Sequence, residues 1–113
     1  PHERTLDYLA AADAVVVPSV AESFSRVVVE AAAAGTPPIV TRTTGVSDYV
    51  AEFGCGLVCE PRSGPAIGDA LVQLLSNTEL WQSLAARCPA MAARFRSDVI
   101  ADELLQLYKP WVR

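Results

Sequence analysis

The stretch from Pro18 to Ala31 reads PSVAESFSRVVVEA and leads from the end of an apolar strand into a helix. It carries two glutamates, Glu22 and Glu30, which lie eight residues apart across that junction. In an open α/β sheet, ligands bind beyond the carboxyl ends of the strands, where helix N-termini offer N–H groups to phosphates. Eight helical residues rise only about 12 Å. Both carboxylates could therefore reach one extended, phosphate-bearing ligand.

The same residues also permit a purely structural interpretation. Ser19 and Glu22 have the spacing of a capping box, in which the serine caps the helix and the glutamate reaches back to its N–H. Glu30 could be a solvated acid on an exposed helix face. From these residues alone, both interpretations stay open.

Short apolar runs alternate with helical patterns along the chain. Strands are predicted at 14–17, 38–41 and 56–59, and helices at 3–11, 25–34 and 47–52. Gly35 and Pro37 supply the left-handed terminator and the stop expected after the second helix. Because helices connect the strands, the pattern predicts half of a doubly wound parallel sheet of the α/β class.

The C-terminal part of the chain predicts helices with a structural role. Residues 63–65 open one helix with an early proline, where its missing N–H does no harm. Residues 76–79 fit a capping box that starts the next helix, with Ser76 as the cap. Pro89 should kink or break that helix, and Ser97 caps a last one.

Composition excludes several classes of protein. The 113 residues are 51% hydrophobic and carry a net charge of −4, which suits one domain with a core and no nucleic-acid partner. No segment is apolar for long enough to span a bilayer, and no signal peptide precedes the first helix. The chain starts at Pro1 without a methionine, which suggests a fragment.

Cysteine and tryptophan side chains are predicted to be structural. A C-x3-C pair gives poor metal geometry, because zinc takes about four N or S donors, so no metal site is expected. Buried free thiols in a reducing cytosol are predicted instead. Neither tryptophan is expected to stack on a sugar, because both lie far from the strand ends. The residues concerned are Cys55, Cys59, Cys88, Trp81 and Trp111.

Four segments resemble the donor-binding half of the retaining GT-B glycosyltransferases, the large family 4. The signature of that family reads Pro-Ser, then Glu-x-Phe-Gly, then Glu-Ala-x-Ala-x-Gly-x-Pro, with two glutamates spaced E-x7-E. The matching segments are Pro18-Ser19, Glu22–Ser25, Glu30–Pro37 and Gly45–Asp48, and the resemblance extends from Leu6 to about Ala70. With these flanking motifs, ligand contact is favoured over capping.

The resemblance implies that residues 1–113 are a partial C-terminal GT-B nucleotide-sugar-binding domain. The expected fold is a partial doubly wound, Rossmann-like, three-stranded parallel sheet with flanking helices and a helical C-terminal tail. Its strands would be the fourth, fifth and sixth of the order 3-2-1-4-5-6. The other half of that sheet and the separate N-terminal acceptor domain would be missing, so the chain alone is expected to be inactive.

The resemblance also implies roles at the sugar end of the site. Glu22 would be the catalytic glutamate and would accept hydrogen bonds from the donor hexose hydroxyls. Backbone N–H groups of Phe24 and Ser25 would help to hold that sugar. The sequence departs from the family at Ser23 and Ser25, where glycine is common, and at Asp48, where glutamate is common.

At the nucleotide end, the resemblance implies that the N–H groups of Arg26 and Val27 face the phosphates. Glu30 would bind the ribose diol, since one carboxylate can accept both hydroxyls. The loop at Thr44 and Gly45 would line the far side of the donor, with Thr44 standing where glycine is frequent.

These implications predict a retaining transferase that moves a hexose from a nucleoside diphosphate, UDP or GDP, to an acceptor, without a cofactor or metal. The alternative function is a non-catalytic nucleotide-binding or interaction module on the same half-sheet. The third function considered is that of a GT-B relative such as a sugar-nucleotide epimerase. The expected location is the cytoplasm, and peripheral association with a membrane is left open for the full-length protein. An exposed edge on the first strand predicts self-association of the fragment.

Overall fold

Helices and parallel strands alternate in the computed structural model, which describes residues 2–18 and 26–95. The elements are α1 (His2–Ala11), β1 (Val15–Val17), α2 (Arg26–Ala33), β2 (Pro38–Thr41), α3 (Ser47–Phe53), β3 (Leu57–Cys59), α4 (Gly64–Ser76) and α5 (Thr78–Arg94). The strands pair in the order β1-β2-β3, and both pairings are parallel. The α/β class and the three-stranded parallel sheet with flanking helices are therefore confirmed. The helix predicted from Ser97 lies outside the described residues.

Strand β2 is buried on both faces, as a continuous apolar run predicts for a central parallel strand. Its successive side chains enter two separate hydrophobic clusters, because side chains alternate between the faces of a sheet. Val40 packs with buried residues of α2, α3 and α5, whereas Ile39 packs with β3, α4 and the start of α5. Fully burying a side chain of this size contributes about 1.5–3 kcal/mol. The helices on both faces thus hold the sheet in place.

Helix α2 ends as the sequence predicts. Gly35 has a φ of +80°, and its N–H donates to the carbonyl of Ala32. The buried Thr36 hydroxyl donates to the carbonyl of Leu9 at 2.6 Å, which ties the end of α1 to the turn before β2. The valines at 27–29 are helical despite their strand propensity, because Val28 and Ala32 are buried against the sheet and α5.

The cap of α5 differs from its prediction by one residue. Asn77, not Ser76, is the N-cap, and its side chain accepts a hydrogen bond from the N–H of Leu80. The Ser76 hydroxyl instead donates back to the carbonyl of Val72 in α4. The one-residue connection between α4 and α5 leaves Ser76 inside the preceding helix, so it cannot act as a cap.

Pro89 does not break α5, contrary to one of the two outcomes predicted for it. The helix continues through Pro89 to Arg94. Proline removes one backbone hydrogen bond, but the fully buried Cys88 and Met91 on either side of it anchor the helix to the core. No helix among residues 2–18 and 26–95 has the length and apolarity needed to cross a bilayer.

Strand β1 occupies one edge of the sheet formed by the described residues. It pairs with β2 on one side, and its three valines are each half-buried. We expect the isolated 113-residue chain to self-associate through this edge or the apolar surface beside it, or else to be poorly soluble, because an unpaired β-branched edge is a template for intermolecular pairing. Light scattering over a concentration series measures this. A stable monomer at high concentration would show that the edge is covered.

Candidate functional site

The carboxyl ends of the three strands lie at one edge of the sheet, called here the carboxyl edge. Beyond β1 comes the connection 18–25, beyond β2 the loop 42–46, and beyond β3 Glu60. Helix α2 follows β1, packs on both β1 and β2, and links these two parallel strands. Its amino end therefore lies at the carboxyl edge, and its carboxyl end lies at the opposite edge. In open α/β sheets this edge is where ligands bind.

Glu30 is the fifth residue of the eight-residue helix α2, one turn after Arg26 at the amino end, which lies at the carboxyl edge. Its side chain is only 16% exposed, and its Oε1 lies 3.0 Å from Nε of Arg26, whose side chain is 81% exposed. Burial to this degree does not fit the interpretation of Glu30 as a solvated acid on an exposed helix face. The carboxylate is instead a partly buried group that is paired with an exposed guanidinium.

The loop that follows β2 is fixed by hydrogen bonds of its own side chains. The Thr44 side chain is buried, with its hydroxyl 3.3 Å from that of Thr41. The Ser47 hydroxyl donates to the carbonyl of Arg42 at 3.1 Å and holds the loop against the start of α3. Gly45 is exposed. A ligand at this loop would therefore meet the backbone at Gly45 rather than the Thr44 side chain.

An ion pair joins the carboxyl ends of β2 and β3. The guanidinium of Arg42 donates to the carboxylate of Glu60, and both side chains are exposed. An exposed pair of this kind contributes about 0–1 kcal/mol to stability. Sequence reasoning missed it, because the two residues are 18 positions apart. Only the register of β2 and β3 brings them together.

The structure describes part of the predicted site. It places Arg26, Val27 and Glu30 on α2 and Thr44 and Gly45 on the loop after β2, all towards the carboxyl edge. Val27 is exposed, and the first N–H groups of a helix have no acceptor within it. The predicted residues Glu22, Phe24 and Ser25, together with the alternative cap Ser19, lie outside the described residues. A cleft shared by the two glutamates therefore stays a prediction.

All three cysteines are free and buried, as predicted. Burial raises the pKa of the Cys59 thiol. The pKa of Cys88 is raised by its hydrogen bond with Cys55 and then by burial, so this thiol stays protonated near neutral pH. In the part of the chain that the structure describes, no three His, Cys, Asp or Glu side chains are grouped closely enough to hold a metal ion.

A cavity of about 410 Å³ lies at the opposite, amino edge of the sheet. It is lined by Asp13, Leu74, Leu75, Thr78 and Trp81, and none of the predicted ligand-binding residues contributes to it. The indole N–H of Trp81 donates to the carbonyl of Asp13 at 2.7 Å. The ring also packs on the cluster around Ile39. This arrangement agrees with the packing role predicted for Trp81, while Trp111 lies outside the described residues.

Comparisons with known proteins match nearly the whole chain. The family model described as "Glycosyl transferases group 1" matches residues 1–91. A curated relative, the D-inositol 3-phosphate glycosyltransferase of Corynebacterium urealyticum, is 39% identical over 109 residues, which cover 96% of this chain and 26% of the relative. The chain thus spans about a quarter of the length of that protein.

Two solved structures share the fold. The sucrose-phosphate synthase of Thermosynechococcus elongatus superposes with a TM-score of 0.86 at 32% identity, covering 97% of this chain and 28% of the synthase. The Anabaena protein HepE, solved in complex with UDP, superposes with a TM-score of 0.82 over 91% of this chain and 29% of HepE. At 24% identity, the second likeness shows the fold alone.

Proposed function

Because the chain belongs to the group 1 glycosyl transferases, we propose that it is the donor-binding part of a retaining enzyme that transfers a hexose from a nucleoside diphosphate. It spans 26% of a curated relative, so the acceptor domain and the remaining parts of the donor site would come from the rest of the full-length protein. The motif with two glutamates spaced E-x7-E supports assignment to the retaining family 4.

The observation that carries the proposal is the position of Glu30. This carboxylate is 16% exposed and is paired with Arg26, the first residue of α2, whose amino end lies at the edge where α/β folds bind ligands. A partly buried carboxylate accepts hydrogen bonds but offers none, so a ligand with two adjacent hydroxyl groups matches it. The ribose of a nucleotide has such a diol.

The other residues have complementary roles in this proposal. The N–H groups of Arg26 and Val27, at the start of α2, would face the phosphates, because the amino end of a helix attracts anions. The backbone at Gly45 would line the donor from the neighbouring loop. Glu22, with the N–H groups of Phe24 and Ser25, would hold the hexose. The resemblance of the flanking motifs supports these last assignments.

The proposal is tested by the variant Glu30→Gln in the full-length protein. A hydrogen bond to a charged group contributes about 1.5–3 kcal/mol, so the affinity for the nucleoside diphosphate should fall roughly ten- to a hundredfold. Isothermal titration calorimetry with UDP and with GDP measures the dissociation constants. The nucleotide that binds the wild type more tightly then serves as the probe.

Glu52→Gln is the matched control, because Glu52 is exposed in the last turn of α3, near the amino edge of the sheet. This substitution makes the same chemical change and should leave nucleotide affinity unaltered. Equal dissociation constants for the wild type and Glu30→Gln would remove Glu30 from the ribose site.

A further inference from the structure

The ion pair between Arg26 and Glu30 is the least expected feature of the carboxyl edge. It joins an exposed guanidinium to a mostly buried carboxylate within one helix, with Nε and Oε1 3.0 Å apart. Among residues 2–18 and 26–95, Arg26 is the only polar partner of the Glu30 carboxylate.

Helix stability does not account for this pair. A cation at the first residue of a helix opposes the helix macrodipole, which favours acidic groups there. The order is also the less favourable one, since an acid placed four residues before a base stabilises a helix more than the reverse. Arg26 is the first residue of α2, and the first turn of that helix has no acidic residue. The arginine therefore stands where stability alone would favour an acid.

The burial of Glu30 indicates that the ion pair has a role other than stabilising the helix. A carboxylate that is mostly removed from water is costly unless a partner is close to it. Without Arg26, the Glu30 side chain could swing outward to regain hydration, and its charge would lie unbalanced beside approaching phosphates. The ion pair with Nε is made through Oε1 of the carboxylate. Within the part of the chain that the structure describes, the second oxygen, Oε2, has no partner and can accept a hydrogen bond from a ligand.

We propose that Arg26 is a positioning residue for the donor nucleotide. Its guanidinium holds Glu30 in the orientation that accepts the ribose diol and balances its charge near the diphosphate. This inference rests on the proposed function and deepens it, since it makes the side chain of Arg26, and not only its backbone N–H, a determinant of nucleotide affinity.

A double-mutant cycle in the full-length protein tests the inference. The variants are Arg26→Ala, Glu30→Gln and the two combined, and calorimetry with UDP or GDP gives each dissociation constant. Arg26→Ala keeps the backbone N–H and should weaken nucleotide binding roughly three- to tenfold, as expected when one member of a polar pair is removed. In the Glu30→Gln background the same substitution should change the affinity by less than about twofold, because interacting residues are not additive.

Two further variants separate positioning from a general structural effect. Arg26→Lys keeps the charge within reach of Glu30 and should recover part of the lost affinity. Arg87→Ala makes the same substitution at an arginine of α5 that lies beside Gly54, near the amino edge. This variant should leave the affinity for the nucleotide unchanged. In steady-state transfer assays, Arg26→Ala should raise KM for the donor more than it lowers kcat. Circular dichroism and melting curves check that each variant is folded.

The outcomes distinguish this inference from the proposed function. If Glu30→Gln weakens binding and Arg26→Ala does not, the positioning role is wrong while the ribose site stands. If Arg26→Ala weakens binding equally in both backgrounds, Arg26 acts directly on the ligand, and the positioning role is also wrong. If Glu30→Gln has no effect, both the ribose site and the positioning role are overturned.

Discussion

Replacing Gly56 by alanine should lower the free energy of unfolding by about 3 kcal/mol, in the upper range for overpacking in a tight site. A Cβ atom at Gly56 would lie 2.2 Å from the carbonyl oxygen of Pro38 and 2.9 Å from two carbons of its ring. The obstacle is the backbone of β2, which cannot turn away as a flexible side chain can. The start of β3 would therefore have to move from its partner strand.

Urea denaturation of the full-length protein, followed by the fluorescence of the half-buried Trp81, measures this change. Gly68→Ala is the matched control, because a Cβ at that position in α4 meets nothing within 4 Å. Alanine is favoured over glycine in a helix by roughly 0.5–1 kcal/mol, so this variant should be slightly more stable than the wild type. Equal stabilities of Gly56→Ala and Gly68→Ala would show that β3 relaxes without cost.

Replacing Glu22 by glutamine should reduce the rate of sugar transfer roughly ten- to a hundredfold. The substitution removes one hydrogen bond to a charged group, and such a bond contributes about 1.5–3 kcal/mol. The nucleotide affinity should change much less, because Glu22 is proposed to contact the hexose and Glu30 the ribose. The measurement is kcat for transfer from the nucleotide sugar, together with the dissociation constant of the nucleoside diphosphate.

Glu79→Gln provides the control for this variant, since Glu79 is exposed in the first turn of α5, away from the carboxyl edge. A kcat unchanged by Glu22→Gln would contradict the catalytic role of Glu22. Nucleotide binding by a wild-type protein that transfers no sugar would instead favour the non-catalytic module that the sequence left as an alternative.

Local patterns predict most of the secondary structure in this chain. The valine run of β1, the Gly35 terminator of α2 and the early proline that opens α4 each depend on neighbours in sequence. The structure departs from these patterns where local signals compete. Ser76 and Asn77 are both good caps, and only the length of α4 decides between them. Pro89 disfavours a helix locally, but the burial of α5 keeps it intact.

The sequence by itself determined the alternation of strands and helices, and the spacing of Glu22 and Glu30 across the first strand–helix junction, because these are properties of adjacent residues. The tertiary structure decided which charges meet and how far each is buried. The pairing of Arg42 with Glu60 requires the β2–β3 register. The need for glycine at position 56 arises from packing against Pro38, 18 residues away in the chain, and the 16% exposure of Glu30 is likewise a property of the folded chain. Contacts of this kind depend on the distance between segments in space, which no local pattern encodes.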